Sequence, residues 1–157
     1  FRRVLFRSAD HGKEDLRAGF SLSLWFNAQP NQTLLDGTDC KLRTLPNGSV
    51  ELTLNDGRTE NRWASDPGSL QFGQLQHIAI IVDGGPKIIS FITNGRFNDG
   101  GDARQFGWGR FSPNLKSITG LNALKPANSV QDLRVYGRAL LTAEAIALAA
   151  AKPATPR

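Results

Sequence analysis

The sequence predicts an all-β fold, an antiparallel two-sheet sandwich with one short C-terminal helix. Three observations predict it. Apolar and polar residues alternate over short runs, as they do on strands with one buried face. The 16 glycines and 8 prolines fall mostly between those runs. Turn pairs (Asp36-Gly37, Asn47-Gly48, Asp56-Gly57, Asn94-Gly95) separate the runs at hairpin spacing, because Asn, Asp and Gly tolerate the backbone angles of tight turns.

The elements follow in order. Residues 9–19 are polar and turn-like. In Phe20 to Asn27, Phe20, Leu22, Leu24 and Phe26 share one face, expected in the core, and Ser21, Ser23, Trp25 and Asn27 share the other, expected outside. Thr33-Leu34-Leu35, Cys40 to Leu45, Val50 to Leu54 and Thr59 to Ala64 read as four further strands. Gln76 to Val82 is the most apolar run and reads as a central strand, turning through Asp83-Gly84-Gly85-Pro86 into Lys87 to Thr93. Residues 96–114, rich in glycine and aromatics, form the longest irregular stretch and the expected functional loop. Ser129 to Tyr136 closes the strands. Thr142 to Ala150 reads as the helix, with Thr142 as N-cap and Glu144 in the first turn. Phe20, Leu22, Leu24, Ile78, Ile80, Val82, Ile89, Phe91, Leu133 and Val135 are the expected core.

At 157 residues, with 39% hydrophobic and 21% charged residues, the chain fits one globular domain with a real core. It lacks a membrane-spanning run. The lone Cys40 has no internal disulfide partner. Phe1 to Ser8 matches, in order, the translation of a common sequencing-library adaptor end, so residues 1–8 are expected to be foreign, 9–150 the domain and 151–157 a tail or linker. Setting aside Arg2, Arg3 and Arg7 takes the formal charge from +5 to +2. That removes the basic excess that would point to nucleic acid.

Three passages together resemble the concanavalin A-like, laminin-G-like jelly-roll family: Phe20 to Phe26, Gln76 to Asp83 with Phe91 to Gly95, and Val130 to Ile146. Gly84 to Ile89 with Arg104 to Phe111 further resembles accessory modules of secreted bacterial sialidases and sulfatases. The resemblance implies a noncatalytic carbohydrate-binding or substrate-targeting module, outside the cell or in the periplasm, beside a catalytic domain. A structural spacer packed on such a domain and a protein-binding adhesion module are the alternatives. Retaining glucanases of this superfamily carry paired Glu residues about 5 Å apart on one strand, spaced Glu-x-Asp-x-Glu or one residue longer. Glu14, Glu51, Glu60 and Glu144 do not fall in that pattern, and His77, opening a central strand, reads as a structural imidazole.

Sugar recognition asks for exposed aromatic planes beside hydrogen-bonding groups. The candidates are Trp108 with Arg104 and Arg110, Trp25, and Trp63 with Arg62. An indole flanked by guanidinium groups suits an acidic or sulfated sugar. The family resemblance also implies a possible Ca²⁺ site, for which Asn98, Asp99 and Asp102 are the candidate ligands, with Asp36 and Asp39 a second cluster. Asn and Asp in such turns also bond their own backbone.

Overall fold

The computed structural model describes residues 13–153 other than 103 and 106. Phe1 to Ser8, expected to be foreign, lie outside the described residues. The chain runs through β1 (Glu14–Asp15), β2 (Phe20–Phe26), β3 (Thr33–Asp36), β4 (Cys40–Thr44), β5 (Val50–Asn55), β6 (Glu60–Ala64), β7 (Gln76–Asp83) and β8 (Ile88–Thr93). Then come β9 (Arg96–Phe97), β10 (Trp108–Arg110), β11 (Ser117–Ile118), β12 (Lys125–Pro126), β13 (Val130–Tyr136) and the helix α1 (Thr142–Leu148). All pairings are antiparallel. One sheet has the order β10-β8-β7-β2-β13, with β9 also on β8; the other has the order β12-β3-β4-β5-β6; β1 and β11 form a two-stranded clip. The longer strands fall where the alternation places them. The two- and three-residue strands at the sheet edges are too short to carry a period and were not foreseen.

The inner faces of the two sheets make one core. Phe20, Leu22, Leu24, Phe26, Ile78, Ile80, Val82, Ile89 and Phe91 meet Leu42, Leu52 and Leu54 of the facing sheet. Every residue of the expected core is buried. At the open edge, the Trp63 indole packs on the bare Cα of Gly109, where a Cβ would overlap the ring. That contact fixes how β10 meets β6.

The outer face of the six-stranded sheet corrects the reading of β2. All seven of its residues are buried, not alternate ones. Ala79, Ile81 and Ile92 pack beneath Leu140 and Ala145 of the C-terminal segment. The Ser21 hydroxyl donates to the Arg138 carbonyl and accepts the Leu140 N–H, both at 2.9 Å. Leu141, not Thr142, is the N-cap of α1. It has no side-chain acceptor, so Glu144 accepts the Leu141 N–H at 3.0 Å while pairing with Arg138.

Candidate functional site

With helix and chain covering the six-stranded sheet, the open sheet face is the outer one of β3 to β6. Burial alternates along β4, with Lys41 and Arg43 exposed between buried Cys40, Leu42 and Thr44. Register then sets the outward side chains in rows: Asp36, Lys41, Thr53 and Arg62 across one, Arg43 and Glu51 across the next. With the 55–57 turn they line a basin of about 950 Å³. Its cations are paired: Arg43 with Glu51 at 3.1 Å, Lys41 with Asp36 at 3.6 Å, and Arg62 with Glu60. Asn55 donates to Glu60 at 3.0 Å, and Asp39 at the rim accepts the Thr119 N–H at 2.8 Å. Exposed pairs of this kind contribute only about 0–1 kcal/mol each, so ligand hydroxyls can take over their hydrogen bonds at little cost. Five carboxylates against three cations give the basin a negative balance.

The residues expected to bind a sugar are dispersed. Arg62 lies in the basin. Trp25 is 4% exposed and offers no stacking plane, because it packs on His77 with ring centroids 5.0 Å apart. Trp63 faces inward, with the Arg104 guanidinium 4.5 Å above its ring. Arg104 itself turns back to the 64–66 segment, pairing with Asp66 and donating to the Ala64 carbonyl at 2.8 Å. It is therefore separated from Trp108 and Arg110, which sit together on the outer side of edge strand β10, the guanidinium 5.6 Å from the ring centre. The loop expected to carry function is a strap in which Asp66 also accepts the Gly100 N–H at 3.1 Å. Asp66→Ala and Arg104→Ala should each lower stability by about 1–3 kcal/mol, with the double variant costing less than the sum of the two. Full additivity in urea titrations would show that the pair does not act as a unit.

The candidate metal ligands also part. Asn98 is buried; its Oδ1 accepts the Asp66 N–H at 2.7 Å and its Nδ2 donates to Thr93 at 3.0 Å. Asp99 accepts the Gly101 N–H at 2.9 Å, the turn bonding that short acidic side chains favour, and Asp102 is exposed. Among the described residues no group of three His, Cys, Asp or Glu side chains is placed to hold a metal ion.

Sequence reasoning did not single out Lys41 or Arg43, and weighed Glu51 only as a catalytic carboxylate. The alternation of Cys40 to Thr44 was the available signal, since it sets both cations on the solvent side.

Comparison with known proteins finds structural likeness alone. No protein-family model matches the chain, and none of the curated proteins matches it. The CBM40 module of the Ruminococcus gnavus IT-sialidase, solved with alpha2,3 sialyllactose, superposes with a TM-score of 0.62 at 16% identity, covering 88% of this chain and 92% of that one. The NanB sialidase of Streptococcus pneumoniae matches with a TM-score of 0.60 at 14% identity over 88% of this chain, which spans 26% of that enzyme. Domain 4 of AbnA, a GH43 extracellular arabinanase of Geobacillus stearothermophilus solved with arabinotriose, gives 0.54 at 21% identity, covering 84% of this chain and 66% of that one. At these identities the likeness shows the fold: an antiparallel jelly-roll β-sandwich like that of CBM40.

Proposed function

We propose that this domain is a noncatalytic carbohydrate-binding module of a secreted carbohydrate-active protein, and that it holds its ligand in the basin on the outer face of β3 to β6. The observation that carries the reading is the lattice of Arg43–Glu51, Lys41–Asp36 and Arg62–Glu60 pairs on an uncovered sheet face. Such a lattice offers alternating donors and acceptors about 5 Å apart across strands, a spacing suited to the hydroxyls of a sugar. Its negative balance favours neutral, hydroxyl-rich glycans over polyanions. The ligands of the similar structures, sialyllactose and arabinotriose, support a glycan as the partner.

Calorimetric titration with arabinotriose, maltohexaose and sialyllactose tests it. Arg43→Ala and Arg62→Ala should each weaken binding of the preferred sugar by about tenfold, the loss of one charge-assisted bidentate contact. If neither variant changes affinity while Trp108→Ala abolishes it, the ligand sits on the β10 ledge. If none of these sugars binds, the basin is not a glycan site.

A further inference from the structure

We infer a second ligand site at one end of the sandwich: a cationic groove that takes a linear glycan bearing carboxylate or sulfate groups. It lies between the β1–β11 clip and the β7–β8 turn and encloses about 570 Å³. Lys13, Arg17, Lys87 and Lys116 line it from three separate segments, with Asp15 as the one acidic lining residue. Asp15 is shared by Arg17, which donates to it at 2.7 and 3.1 Å, and by the charge of Lys13, so the described walls add no second carboxylate to balance Lys87 and Lys116. Two neighbouring carboxylates do not enter it: Glu14 is buried beside Asp15, and Asp83 accepts the Gly85 N–H at 3.1 Å. Leu16, Phe111 and Leu115, each almost fully buried, close its base.

Two backbone features assemble the groove. Gly84 lets the turn rest directly on Leu16 and Arg17, where a Cβ would overlap the Leu16 carbonyl. Lys87 holds φ at 61°, in the left-handed region where glycine is at ease, while its carbonyl accepts the Phe111 N–H at 3.0 Å. Lys87 is held in that conformation on the groove wall. Compact ammonium groups suit sulfate or carboxylate as point charges. The charge balance is opposite to that of the basin, so the two sites select different ligands. The choice of a glycan as the polyanion rests on the carbohydrate-binding reading above; the groove itself does not.

The test compares hexagalacturonate, a sulfated galactan hexasaccharide, maltohexaose and hexathymidylate by thermophoresis on the full chain. The two anionic sugars should bind, and their affinity should fall about tenfold or more between about 50 and about 300 mM NaCl, where screening tightens. Lys87→Gly and Lys116→Ala should each weaken them about fivefold, with Lys87→Gly leaving the melting temperature unchanged or higher because it relieves the backbone. Lys152→Ala, which removes a charge from the segment after α1, should leave binding unchanged. Equal binding of anionic sugars and maltohexaose, or wild-type affinity in both groove variants, would overturn the site. Equal affinity for hexathymidylate would overturn the glycan assignment. Failure of the basin would appear separately, as loss of the Arg43→Ala and Arg62→Ala effects on arabinotriose or maltohexaose.

Discussion

Truncating Ile80 or Leu24 to alanine is expected to lower the unfolding free energy by about 2–5 kcal/mol, the range for large-to-small changes in a packed core. Both side chains are fully buried on adjacent central strands and project into the single core between the sheets. Strands β2 and β7 are paired along their whole length, so the surrounding backbone has little freedom to close the cavity. Ile146→Ala provides the contrast: this residue is 40% exposed on α1 and its truncation should cost under about 0.5 kcal/mol. Urea titrations followed by tryptophan fluorescence measure all three. Costs near zero at both core sites would refute the assignment of strand faces.

Acidification should destabilise the fold through His77. The imidazole is fully buried, its Nε2 2.8 Å from the Ser23 hydroxyl and its ring against Trp25. Burial first, and the Arg134 cation second, push its pKa down from 6.5 to about 4, with Asp132 opposing. The folded chain therefore keeps His77 neutral while the unfolded chain takes up a proton near pH 6.5. Stability from this group is complete above pH 6.5, declines as pH falls below it, and is fully lost below about pH 4. The shift corresponds to about 3 kcal/mol. His77→Gln, which does not titrate, should be flatter over that window by this amount when its urea midpoints are followed from pH 7 to pH 4. Parallel pH profiles for the two proteins would show that the buried imidazole is not the source.

Much of the architecture was legible in the residues themselves. The period-two pattern of Phe20 to Phe26 and of Val50 to Leu54, with hairpin turns at Asn47-Gly48 and Asn94-Gly95, determined the strands, the inward faces and the sandwich class. Local backbone sterics and one-sided burial write that information into adjacent positions. The helix was legible within two residues, although its cap shifted from Thr142 to Leu141 because Glu144 reaches back to the N-cap N–H.

The tertiary structure decided what faces water and which side chains meet. Trp25 stood beside serines and asparagine on what looked like an outer face, yet chain more than a hundred residues downstream covers that face, with Leu140 donating to Ser21. Arg104 looked like one half of a cationic pair around Trp108, yet it closes on Asp66, 38 residues upstream. Lys41, Arg43 and Arg62 share one face because register across β4, β5 and β6 sets them there, and Lys87 lines the same groove as Lys116 because Gly84 lets a turn touch Leu16. Alternation fixes the side of a strand on which a residue lies. Partners contributed by distant segments follow from sheet order and close packing, which no local pattern encodes.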